Sequence, residues 1–107
     1  MVGNGFLVGN NMIRVGEVNA NDTIVCDFFF INQGTEPVKI IEHTVSCGCT
    51  GLRYNSNDIL AGDTVVITML TNTKGKIAGN HSSVAVLETN GKRRFYDITA
   101  YYTVVCE

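Results

Sequence analysis

The sequence predicts an all-β fold: an immunoglobulin-like antiparallel β-sandwich of about seven strands, in one domain spanning residues 1–107. Three observations predict it. The run Thr23–Asn32 alternates with period two, so that Ile24, Cys26, Phe28 and Phe30 share one face and Val25, Asp27, Phe29 and Ile31 the other. Further short β-prone runs recur along the chain with turn chemistry between them. No long run carries apolar residues at three-and-four spacing, so helix signals are nearly absent. Short strands of this kind bury their apolar faces by closing as two packed sheets. The chain has no Trp, so the disulfide-and-tryptophan core of antibody domains is missing.

Met12–Val18 reads as the first strand. Asn19-Ala20-Asn21-Asp22 is a turn, because Asn and Asp side chains hydrogen-bond the local backbone. Thr23–Asn32 is the strongest strand. Gln33–Pro37 turns the chain, and the single proline sits at the exit, where a missing N–H costs least. Val38–Val45 follows and runs into Cys47-Gly48-Cys49. Asn55–Asp58 and Ala61–Asp63 bracket an irregular connection. Thr64–Thr71 is a strand with Val65, Ile67 and Met69 in phase, and Asn72–Asn80 reads as a long flexible turn. His81–Thr89 and Arg93–Cys106 form the last pair of strands, and Asn90-Gly91 between them is a hairpin signal. Ile98, Ala100, Tyr102, Val104 and Cys106 share one face of the final strand.

Composition narrows the function classes. Hydrophobic residues make up 45% and charged residues 17%, as in a globular chain. The net charge is -2, and the sole basic cluster, Lys92-Arg93-Arg94, lies beside a turn. Phosphate binding needs many cations on one face, so no nucleic-acid partner is expected. No stretch approaches the roughly 18–20 apolar residues of a transmembrane helix. No glycine-rich phosphate loop, nucleophile elbow or paired-carboxylate motif is present, and no enzyme activity is expected.

Several segments resemble a bacterial family of small immunoglobulin-like domains of unknown function, related to the Hydin and major-sperm-protein sandwiches. They are Val15-Gly16-Glu17-Val18, Phe28–Gly34, Pro37-Val38-Lys39-Ile40, Ser46-Cys47-Gly48-Cys49-Thr50, Ala61-Gly62-Asp63 and Asp97-Ile98-Thr99-Ala100. The similarity runs over residues 12–105, and Cys-Gly-Cys-Thr is its most specific part. The resemblance implies the fold, and a place in an exported envelope protein or lipoprotein of the bacterial periplasm or cell surface. It implies no activity. His43 and His81 depart from the family pattern, which is apolar there, and Ala61 stands where the family has Pro.

Four cysteines carry the chemistry the residues offer. The topology expected of such a sandwich gathers Cys26, Cys47, Cys49, Cys106 and His81 at one pole. Cys47, Cys49 and His81 would suit zinc or cuprous copper, although Cys-x-Cys is not the usual zinc spacing. A thiol redox pair at the same corner is the companion reading. Cys26 and Cys106, both in core phase, are candidates for a structural disulfide contributing about 2–4 kcal/mol. The plain alternative makes Cys26 and Cys106 small buried hydrophobes, with no cofactor at all.

A second feature concerns partners. Val25, Phe29 and Ile31, with Val66 and Leu70 on a neighbouring strand, point away from the core phase. A contiguous exposed apolar patch marks a protein partner or self-association. In the competing reading Phe6, Leu7 and Val8 fold back over the patch. Val84 and Val86 make a smaller pair on the other sheet. The reading taken forward is a non-catalytic binding or structural module, with metal or redox chemistry at the cysteine corner as the alternative.

Overall fold

A computed structural model describes residues 5–46 and 48–105. Cys47 and Cys106 therefore lie outside the described residues. The chain is all-β, with two sheets packed as a sandwich. The four-stranded sheet has the order β1 (Leu7–Gly9), β3 (Thr23–Asn32), β7 (Thr64–Asn72), β5 (Thr50–Tyr54). The five-stranded sheet has the order β2 (Met12–Asn19), β9 (Phe95–Val105), β8 (Gly79–Thr89), β4 (Val38–Val45), β6 (Asp58–Ile59).

The described residues thus hold nine strands rather than about seven. The three that the pattern missed are β1, β5 and β6. They have three, five and two residues, too short for alternation to register. A second correction concerns direction, because β2 runs parallel to β9 in a sandwich expected to be wholly antiparallel. The cause is a change of sheet at Asn10–Asn11. β1 lies antiparallel to β3, and the chain continues in the same direction into the facing sheet, where Asn11 accepts a hydrogen bond from the Thr99 N–H at 2.9 Å.

The long strands follow their alternation. In β3, Ile24, Cys26, Phe28 and Phe30 are buried while the residues between them are exposed, apart from the closing Asn32. Val65, Ile67 and Met69 of β7 lie beside them on the same face of the same sheet. Val38 and Ile40 of β4, Ala85 and Leu87 of β8, and Tyr96, Ile98, Ala100, Tyr102 and Val104 of β9 complete the core from the other sheet. Burying each large side chain of this kind contributes about 1.5–3 kcal/mol, so the inner faces supply most of the driving force.

Two turns differ from expectation. Asn90-Gly91 does not form a two-residue hairpin, for Thr89 closes a longer loop by bonding Arg94 through its N–H (2.7 Å) and Arg93 through its hydroxyl (2.7 Å). Gly91 serves close approach instead, since a Cβ there would stand 2.5 Å from the carbonyl oxygen of Gly5. The segment after β7 is not simply a flexible turn. Thr73 is fully buried, and its hydroxyl accepts from the Asp22 N–H (2.8 Å) while facing the carbonyls of Asp22 and Asn19. This clamp holds the β2–β3 turn, where Asn21 adopts φ 67°, a left-handed conformation that Asn tolerates better than most residues.

Candidate functional site

The cysteine corner sits where β4 ends and β5 begins. Ser46 anchors it to β8: its N–H donates to Val84 O at 2.8 Å, and its hydroxyl accepts from the Val84 N–H at 3.1 Å. Asn72 donates to Cys49 O at 2.9 Å from the end of β7. Beneath the corner lies a chain of buried hydroxyls. Thr71 donates to Ser83 Oγ at 3.0 Å, and Thr50 to the same oxygen at 3.4 Å, which joins β5 and β7 of one sheet to β8 of the other. Cys49 Sγ stands 3.8 Å from the Thr50 hydroxyl.

Cys49 is disulfide-bonded and does not titrate. A half-cystine offers no thiolate, so Cys49 is not a metal ligand in this state. Cys47, its expected companion ligand, lies outside the described residues. His81, the third expected ligand, is half-buried on the inward-facing row of β8. Its Nε2 stands 2.7 Å from Ile77 O, which can only accept, so that nitrogen carries the proton. The ring stacks on Tyr102 with centroids 5.6 Å apart. Among the described residues, no three His, Cys, Asp or Glu side chains converge in a way that could hold a metal ion.

Cys26 is a free, buried thiol, not the half of a Cys26–Cys106 bridge that its core phase suggested. Its place explains the difference. Cys26 pairs with Met69, three rungs inside the Thr23–Asn72 pair that closes the pole, so it packs among apolar side chains. Burial pushes the Cys26 thiol up, and the charge of Asp27 adds to the effect. The topology does bring Cys49, the Thr73 segment and the start of β8 to one pole. His43 is elsewhere, exposed opposite Leu87 with its Nδ1 3.2 Å from the Tyr54 hydroxyl.

The outer face of the four-stranded sheet holds the five residues expected there. Val25 pairs with Leu70, and Phe29 with Val66. Val25 and Phe29 are 59% and 57% exposed, and Ile31 is 36% exposed. Among the described residues, the N-terminal segment does not cover them. Leu7 turns into the core, while Val8, opposite Ile31 at the sheet edge, adds an exposed side chain to the same face. The pattern did not foresee a polar row across this face. Asp27 pairs with Thr68, whose hydroxyl donates to Asp27 Oδ1 at 2.7 Å, and Thr68 pairs in turn with Arg53. The row separates Val25–Leu70 from Phe29–Val66 and Ile31. It was hard to find because β5, which brings Arg53, gave no strand signal.

A hollow of about 580 Å³ opens on the far side of the molecule from the cysteine corner, lined by Phe6, Leu7, Phe30, Lys92, Arg93 and Tyr96 among others. The Arg93 guanidinium lies 5.0 Å above the Tyr96 ring, and Arg94 pairs with Glu88 at 2.8 Å. Among the described residues, no cysteine or histidine lines it.

Comparison with solved structures finds this fold inside longer chains. A protein of unknown function from Porphyromonas gingivalis W83 superposes with a TM-score of 0.83 at 11% identity, over 95% of this chain and 48% of that one. The secreted serine protease VesC from Vibrio cholerae gives 0.69 at 10% identity, over 92% of this chain and 23% of that one. A family 123 glycoside hydrolase from Clostridium perfringens gives 0.75 at 8% identity, over 97% of this chain and 26% of that one. The chain spans less than half the length of each of these proteins, and at such identities the likeness is one of fold. No curated protein matches. A family model matches residues 6–101, nearly the whole of the sandwich, and the chain belongs to the family described as "Protein of unknown function (DUF1573)".

Proposed function

We propose that this chain is a non-catalytic, immunoglobulin-like interaction module of a bacterial envelope protein, presenting the outer face of its four-stranded sheet to a protein partner. The observation that carries the reading is the exposure of Val25 and Phe29, in one plane with Val8, Ile31, Val66 and Leu70. Two apolar groups this close on the outside of a small domain, one on each side of the Asp27–Thr68–Arg53 row, mark a contact surface. The recurrence of the fold as a minor part of longer chains supports a module. The disulfide at Cys49 supports an oxidising compartment, where such bonds persist. The relation to the Hydin and major-sperm-protein sandwiches, and a family role for Cys-Gly-Cys-Thr, belong to the same proposal.

The test places a photo-crosslinking residue at Phe29, and separately at Ile41 on the other sheet, in cells that make the protein. Both positions are 57% exposed, so accessibility alone predicts equal yields. One discrete protein adduct in the envelope fraction from position 29, absent from position 41, is the expected result. Equal adducts from both positions, or none from position 29, would overturn the reading.

The disulfide at Cys49 also favours thiol redox over metal binding as the chemistry of the corner. A redox titration of the folded protein tests this second reading. A midpoint well below the glutathione range makes the bond structural; one within that range makes it exchangeable.

A further inference from the structure

We propose that the open edge of β3, over Thr23–Phe28, is a strand-addition site for an extended segment of a protein partner. The segment carries a basic residue opposite Asp27 and an apolar residue two positions to either side. The inference rests on the face reading above and specifies the mode of contact.

β3 has ten residues, but β1 covers its outer edge only at Phe30, Ile31 and Asn32. Beyond Gly9 the chain leaves for the other sheet. Among the described residues no strand occupies that side of Thr23–Phe28. The direction of the free groups follows from two bonds. Gln33 donates toward β1, to Phe6 O at 3.0 Å, and Asn32 donates the opposite way, to Asp63 O at 2.9 Å. Backbone groups alternate along a strand, so Val25 and Asp27 aim N–H and C=O at the open side, whereas Gly9 of β1 lies against the Phe29 carbonyl. Val25 and Asp27 also carry exposed side chains.

The other sheet edges are guarded. β6 has two residues, and β5 has five, with Gly51 and Arg53 among them. β4 is covered by β6 only at Val38 and Lys39, but its remaining edge carries Glu42 and a register shift between Ile40 and Glu42. β2 has a register shift between Arg14 and Gly16, with Gly16 at φ 92°, and carries Arg14 and Glu17. Short length, charge and bulges are the devices by which proteins blunt edges. Thr23–Phe28 has no proline, lysine or bulge, and stays in regular register with β7 throughout. Its single charge is Asp27, whose carboxylate is oriented by the Thr68 hydroxyl at 2.7 Å.

That charge selects the occupant. If a second copy of the chain added antiparallel to this edge, the register that sets Val25 against Phe29 would also set Asp27 against Asp27. Like charges directly opposite are destabilising. A different strand with Lys or Arg at that position gains an opposite-charge pair, and apolar neighbours at two-residue spacing meet Val25 and Phe29. Main-chain bonds then supply affinity and alternate side chains supply selectivity.

The test uses a capped synthetic peptide, Thr-Val-Thr-Lys-Thr-Val-Thr, at millimolar concentration with the isotope-labelled chain. Slowed exchange of the Val25 and Asp27 amides is expected. Replacing the peptide's Lys by Glu should weaken binding about fivefold, and Asp27→Lys in the protein should reverse that preference. Val25→Pro should abolish binding while leaving the fold intact, because it removes an N–H aimed at the open edge. If that variant does not fold, the Asp27→Lys reversal decides. Unchanged amide exchange, or binding without charge reversal, would overturn the proposal. So would protection that grows with protein concentration and needs no peptide. Position-29 crosslinks that persist beside an inert edge would leave the face reading standing and remove this one.

Discussion

The side-chain amide of Asn32 donates to the carbonyl oxygen of Ile59 at 2.9 Å, and thereby ties the end of β3 to β6 in the opposite sheet. The same amide nitrogen donates to Glu36 O at 2.8 Å, and its Oδ1 accepts from the Gly34 N–H at 2.9 Å. Asn32 is wholly buried and so is its bond to Ile59 O, which therefore has no water as a substitute, whereas Glu36 and Gly34 lie nearer the surface. Asn32→Ala strands the buried carbonyl of Ile59 and should cost about 2 kcal/mol in chemical denaturation. Asn32→Asp keeps the shape but sets a carboxylate against two carbonyls. It should cost at least as much at neutral pH and recover in part on acidification, when the carboxyl can donate. Equal stability of Asn32→Asp and the parent at neutral pH would refute this account of the pole.

Tyr102 gives the opposite expectation. Its hydroxyl is buried and is the one such side-chain oxygen without a hydrogen-bond partner among the described residues. A buried unsatisfied hydroxyl costs about 1–3 kcal/mol. Tyr102→Phe should therefore leave stability unchanged or raise it by about 1 kcal/mol, whereas removing a satisfied hydroxyl would lower it. Thermal unfolding of the single variant checks the sign. Ser83→Ala is the matched control, because it removes a hydroxyl that receives Thr71 at 3.0 Å and should destabilise.

The cysteines should separate by reactivity. Alkylation of the denatured, unreduced chain should label Cys26 and should not label Cys49, which is disulfide-bonded. In the folded chain Cys26 should react only as fast as the structure opens, since burial raises its pKa and leaves little thiolate. The sign of the linkage follows. The thiolate is favoured in the unfolded chain, so the thiol's contribution is full below the ordinary thiol value and lost as pH rises above it. The stability gap between the parent and Cys26→Ala should therefore narrow on the alkaline side. A gap that widens there would contradict the direction.

Much of the architecture was legible because long strands bury one face only. Thr23–Asn32, with Ile24, Cys26, Phe28 and Phe30 inward, needed nothing beyond alternation. Chains too short to alternate were not legible. Thr50–Tyr54 and Asp58–Ile59 are strands because β7 and β4 offer them a ladder, and that is a tertiary cause. The same limit hid the polar row Asp27–Thr68–Arg53, whose last member depends on β5. The outer apolar set was legible, but whether the N-terminus covered it was not. That turned on Leu7 entering the core while Val8 stayed outside. The cysteine corner was the least legible. Phase placed Cys26 inside, but phase says nothing about how deep along the strand a residue sits. Depth is what left its thiol free among apolar neighbours.

Two adjacent phenylalanines put the alternation to a direct test. Phe28 is 1% exposed and faces Ile67 in the core layer, while Phe29 is 57% exposed beside Val66 on the outer face. Phe28→Ala removes a large buried ring and should cost about 3–5 kcal/mol. Phe29→Ser replaces an exposed ring on a strand that keeps all its ladder bonds, and should change stability by no more than about 0.5 kcal/mol. It should also lower any tendency to associate, because it removes exposed apolar area from that face. Denaturant midpoints of the two variants, with sedimentation of the second, measure both effects. If Phe29→Ser destabilised the fold as much as Phe28→Ala, the outer face would be covered in solution, and the contact surface proposed on it would have to be sought elsewhere.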